Sequence, residues 1–167
     1  MNNNKSSRII DIKTNGFDKY LNSLPAESQE NAKKKYASMA VRFWFYAEDA
    51  DGYKKKNERQ KIINFIELFF SEESLFPQSK YSDEERKKIL IDLMDSESLH
   101  VDLQDIVRYL LEMPVEIKES FFYDACYIIT IDRQVVNKEV DFLNELGKNI
   151  EIQDNFKNKT FQYFWIH

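Results

Sequence analysis

AVRFWFYAEDADGYKKKNERQKIINFIELFF, residues 40–70, decides the fold. Upstream and within it, Ala32, Tyr36, Met39, Ala40, Phe43 and Ala47 recur at helical spacing. Val41, Trp44, Phe45 and Tyr46 widen that stripe until little polar face is left, which places the second half of the helix in the core. The run breaks at Asp51-Gly52, where glycine supplies the left-handed backbone of a turn. Ile62, Ile63, Phe65, Ile66, Phe69 and Phe70 then restart a helix of about three turns. The segment therefore predicts two helices joined by an acidic elbow.

A second stretch repeats the plan. In FFYDACYIITIDRQVVNKEVDFLNELGKNI, residues 121–150, an apolar run ends in Asp132 and the next begins at Glu139. Asp51 and Glu58 have the same spacing in the first elbow. The remaining elements are predicted from the same signals. A short helix spans 17–24, and Ser23 with Pro25 starts the long one. Ser82-Asp83-Glu84-Glu85 forms a capping box before Ile89, Leu90, Leu93 and Met94. Asp102 caps a helix carrying Leu103, Ile106, Val107, Leu110 and Leu111, which Met113-Pro114 terminates. The segment after it places Ile117, Phe121, Ala125, Ile128 and Asp132 on one stripe. Asn137 caps the last clear helix, which stops near Gly147.

These signals give an all-α helical bundle of about seven helices, built as two helical hairpins with an intervening pair. Only 3 glycines and 3 prolines in 167 residues argue against a fold of many short strands. One domain is expected over 17–152, preceded by a flexible N-terminal arm at 1–16. An aromatic tail at 153–167, ending FQYFWIH, is expected to pack on the domain and is too short to classify.

Composition narrows the function. A net charge of −5 leaves no electrostatic footprint for nucleic acid. The lysine runs at 33–35, 54–56 and 87–88 read as solvated faces. No apolar run is long enough for a membrane span, and the N-terminus lacks a signal-peptide core. The single cysteine, Cys126, sits on a crowded apolar segment and reads as a small buried hydrophobe. These features point to a cytoplasmic protein. Asp95, Glu97, His100 and Asp102 read as a solvated polar loop rather than a transition-metal site.

The acidic elbows are the chemistry that remains. Hard divalent cations take oxygen ligands, and a helix C-terminus offers free carbonyls beside the acidic side chains. With Gly52 at the glycine position of an EF-hand loop, Asp49, Asp51 and Glu58 fall on ligand positions. Ala47 then occupies the first ligand position and Lys54, Lys55 and Lys56 intrude, so the loop is not a proper EF-hand. A purely structural role fits the same residues. Aspartates form turns, and Glu58 and Glu139 suit the first turn of the following helix.

The DADG…E elbow after an apolar helix, the spacing to a second IDR…E elbow and the trailing FLNELGKNI resemble the tellurite-resistance TerB-like family over about residues 32–152. That resemblance implies an all-helical domain of two pseudo-symmetric hairpins. It implies a non-enzymatic module for stress response or protein interaction that binds a divalent cation; with oxygen ligands calcium or magnesium is expected rather than zinc. Carried over, the metal candidates are Asp51, Glu58, Asp132 and Glu139, with Asp49 added by the loop comparison. The family favours Asp-Gly in both elbows. Here Arg133 replaces the second glycine, and its guanidinium can pair with the carboxylates a cation would need. Other proteins are the expected partners. A metal-free scaffold using an aromatic surface is the alternative, and a metal-assisted hydrolase using the same carboxylates is a third class.

Overall fold

The computed structural model describes residues 5–51, 56–95, 102–131 and 135–167. Among the described residues the protein is all-helical: α1 (Phe17–Asn22), α2 (Ala26–Glu48), a 3₁₀ turn (Asp49–Asp51), α3 (Lys56–Leu68), α4 (Asp83–Asp95), α5 (Leu103–Leu111), α6 (Val115–Ile129), α7 (Asn137–Asn149) and α8 (Asp154–Phe164). No described helix is long and apolar enough to cross a membrane.

The two helices with the most buried residues, α2 and α6, form the centre. α2 lies along α6, and α1, α3, α4 and α5 pack around α2. α7 and α8 pack on α6. Aromatic rings make the joint. Phe121 of α6 meets the edges of Tyr36 at 6.0 Å and Phe43 at 5.2 Å, both of α2. Trp44 packs against Phe65 at 5.2 Å and stacks on Phe69 at 5.6 Å, tying α2 to α3. All of these rings are buried, so each contributes its full apolar surface as well as a favourable ring geometry.

Several caps form as the sequence predicts. Ser82 and Glu85 exchange reciprocal bonds of 3.1 Å, and Asp102 accepts from the Gln104 N–H at 2.9 Å. Other boundaries differ. Ser23 closes α1 instead of opening α2, donating its hydroxyl to the Tyr20 carbonyl. Asn137 is the first residue of α7 rather than its cap; the Val136 N–H is satisfied by Glu139. Gly147 does not stop α7. A Cβ there would stand 3.2 Å from the Phe122 ring, so the glycine serves close packing inside the helix. The stop comes at Glu151, whose φ of 65° lets the Ile152 N–H reach the Gly147 carbonyl at 2.8 Å.

Both ends of the chain are more structured than their composition indicates. The tail forms α8, which packs on α6 and buries Phe164, while Ile166 is buried just beyond it. At the other end, 1–16 reads as a flexible arm, yet 5–16 is built into the core. Ile9 is fully buried and Asn15 is 2% exposed. The reason is polar satisfaction. The Asn15 amide donates to the carbonyls of Arg8 and Ile9, each at 3.1 Å, and to the Tyr36 hydroxyl at 2.8 Å. Two carbonyls of a segment without a helix are thereby satisfied by a buried side chain.

Candidate functional site

The first elbow begins where α2 ends. Glu48 is 2% exposed, Asp49 turns its side chain to solvent, and Ala50 packs against the core. The 3₁₀ turn that follows rests on α7, the helix that opens with the second elbow's Glu139. Tyr46 of α2 meets Phe142 of α7 at 5.7 Å on the same joint. Asp51 of the first elbow and Glu139 of the second are thus carried on two elements that touch.

At the second elbow, α6 closes with Thr130, whose hydroxyl donates to the Cys126 carbonyl at 2.9 Å. Glu139 is 1% exposed, and its Oε1 accepts from the Val136 N–H at 3.1 Å. Valine has no side-chain acceptor to return the bond, so this is half of a capping box. The position suits a carboxylate because the amino end of a helix favours negative charge. Both Glu48 and Glu139 have polar or electrostatic partners.

Of the five candidate ligands, Asp49 and Glu139 are therefore placed, the first in solvent and the second buried at the start of α7. Asp51 ends the 3₁₀ turn and Glu58 lies in the first turn of α3, with their side chains outside the described residues. Asp132, Arg133, Gly52, Glu97 and His100 also lie outside them. Among the described residues no group of three or more His, Cys, Asp or Glu is arranged to hold a metal. Asp49 and Asp51 follow directly on the carbonyl end of α2.

Among the described residues a different carboxylate stands apart, and sequence reasoning passed it over. Asp124, in the middle of α6, is fully buried. Its Oδ2 accepts from the Ser7 hydroxyl at 2.5 Å and from the Trp44 indole N–H at 3.0 Å, and its Oδ1 accepts from the Arg8 N–H at 2.8 Å. Burial pushes its pKa up from 3.8 to about 7, against the opposing pull of these donors. A signal was present. Asp124 lies three residues after Phe121 and four before Ile128, on the stripe that periodicity assigns to the core. The neighbouring Cys126 is buried as its surroundings predict, and burial pushes its thiol well up.

Comparison with protein-family models, with curated proteins and with solved structures returned no match. The reading of function therefore rests on the residues themselves.

Proposed function

We propose that this chain is a non-enzymatic, TerB-like helical binding module, in which a divalent cation at the joined elbows sets the angle between two hairpins. In this reading it serves in the cytoplasm, in stress response or protein interaction. One observation carries it: the 3₁₀ turn Asp49–Asp51 rests on α7, the helix that opens with Glu139. A cation bridging carboxylates of the two elbows would favour one arrangement of α2–α3 against α6–α7, and so couple ion binding to the shape of a docking face. Calcium or magnesium suits such oxygen ligands better than zinc.

The test is a titration with calcium, magnesium, manganese and zinc, followed by heat and by melting temperature. One ion is expected to stabilise the wild-type protein by about 2.7 kcal/mol at a hundred times its dissociation constant. Asp51→Asn or Glu58→Gln is expected to abolish that gain. If no ion at millimolar concentration raises the melting temperature, the cation has no part in the function.

A second reading, a metal-free scaffold that binds proteins through an aromatic surface, draws support from the end of α8. Trp165 is 77% exposed and holds a φ of 60°, with Tyr163 44% exposed beside it. The left-handed backbone disfavours any side chain by roughly 1–2 kcal/mol, and exposure wastes the apolar surface of this one. Trp165→Gly is therefore expected to leave the melting temperature unchanged or to raise it. A fall of several degrees would mean that the indole belongs to the folded core, and this second reading would lapse.

A further inference from the structure

Asp124 carries a charge-bearing group into the core, and no cationic side chain among the described residues bonds it. Arg8, the nearest candidate by sequence contact, sends its guanidinium over the Tyr123 ring at 4.6 Å while its backbone N–H bonds the carboxylate. The groups that bond Asp124 are thus neutral donors, and besides Trp44 they come from the N-terminal segment: Ser7, Arg8 and Ile9.

That segment, 5–16, is held to the body by side chains rather than by a ladder. Its own backbone bonds are local, such as Asn15 N–H to the Asp11 carbonyl at 3.1 Å and Ile12 N–H to the Ile10 carbonyl at 2.9 Å. Its ties to the helices include the Asp124 cluster, the Tyr36 hydroxyl donating to the Ile9 carbonyl at 2.7 Å, the Asn15 amide donating to that hydroxyl at 2.8 Å, the buried Ile9 side chain, and Lys5 and Arg8 over rings of α6 and α8. Lifting it breaks no hydrogen bond inside α2 or α6. Segments held this way open well before the rest of a fold.

We propose that residues 5–16 form a proton-linked strap, seated while Asp124 is protonated and loosened when Asp124 ionises. Protonated, the carboxyl group can donate to the Ser7 hydroxyl and leaves no net charge in the core. Ionised, it remains a buried charge with only neutral donors while the strap is shut, and water reaches it once the strap lifts. Opening and ionisation therefore favour each other, independently of any cation at the elbows. The groups facing this cluster are Arg8 and Asp11 of the strap, Tyr36 of α2, and Tyr123 and Cys126 of α6. Lys61 of α3 lies over Phe65 and Tyr127, and Tyr163 of α8 stands beyond Tyr123. Burial pushes Tyr36, Tyr123 and Cys126 upward, so they stay neutral at mildly acidic and neutral pH.

The sign follows from the two states. With the strap shut the carboxyl titrates near 7, and in water nearer its ordinary 3.8. The opening constant then rises by up to about tenfold per pH unit between those values and levels off above the higher one. Hydrogen exchange of the Arg8 amide, corrected for intrinsic chemical exchange, measures this opening directly. Between pH 5 and pH 8 the wild-type opening constant is expected to rise at least tenfold, while amides in the middle of α7 hold steady. Asp124→Asn is expected to remove the pH dependence. Ser7→Ala keeps the titrating group and loses one donor, so it should open more at every pH with the slope retained; it serves if the asparagine variant fails to fold. Equal Arg8 protection at both pH values, an unchanged slope in Asp124→Asn, or a slope shared by α7 would overturn the strap.

Discussion

Trp44→Ala is expected to remove about 4 kcal/mol of unfolding free energy and to lower the melting temperature by about 10 °C or more. Three losses coincide at this side chain. Its ring leaves a cavity between α2 and α3, where it packs on Phe65 at 5.2 Å and Phe69 at 5.6 Å. The transfer of its apolar surface out of water on folding is forfeited, and relaxation of the neighbours decides how much of the cavity persists. Its indole N–H no longer reaches Asp124, which then keeps only the donors supplied by the N-terminal segment. Urea unfolding at constant pH, followed by circular dichroism, measures the loss. The substitution also tests which helix is central. A loss under about 2 kcal/mol would mean that the α2–α3 joint is loosely packed and that α2 is not the axis of the core.

The axis was legible in the sequence because it is a local property. The stripes through Tyr36–Phe43–Ala47 and Ile117–Phe121–Ile128 follow from helical period alone, and those residues are buried. Capping at Ser82 and Asp102 was equally local. What failed was long-range. Gly147 resembles a helix stop until the Phe122 ring is seen against it. The terminal FQYFWIH gives no period by itself, because its helix begins at Asp154 and its apolar face is defined by α6. At 5–16 the polar composition reads as a loose arm, whereas Asn15 spends its amide on the carbonyls of Arg8 and Ile9.

The same distinction divides the sites. The acidic elbows were visible as a repeat in sequence, and that the first turn rests on α7 is a fact of packing that spacing could not supply. Asp124 was visible as an acid on an apolar stripe. Its meaning depended on Ser7, separated from it by 117 residues, and on Trp44, separated by 80. Periodicity says that a side chain points inward and is silent on what waits there.

Between pH 4.5 and pH 7.5 the wild-type protein is expected to lose a few kcal/mol of stability relative to Asp124→Asn. The carboxyl's pKa is raised in the folded state, from 3.8 to about 7, so the folded protein binds that proton more tightly than the unfolded chain. Its contribution is therefore fully present below the lower value and is lost as pH rises through the higher one. A shift of that size corresponds to on the order of 4 kcal/mol. Surface acids such as Glu85 act in the opposite sense. Its pKa is lowered by bonds from the backbone and side chain of Ser82, so what it contributes is lost as pH falls. Comparing two proteins that share every surface acid cancels that background, which is why the asparagine variant is the reference rather than the wild type at a single pH. Urea unfolding of both proteins at the two pH values gives the difference. Wild type gaining on the variant as pH rises would mean that the donors from Ser7, Arg8 and Trp44 outweigh burial and that the ionised form is the one the core selects. The strap sets a ceiling on the effect. Once lifting residues 5–16 costs less than keeping the charge dry, the native ensemble opens instead of paying more, and the stability curve flattens at the free energy of that local opening. A loss that levels off before about 4 kcal/mol, at the pH where the Arg8 amide loses protection, would identify the strap as the limit.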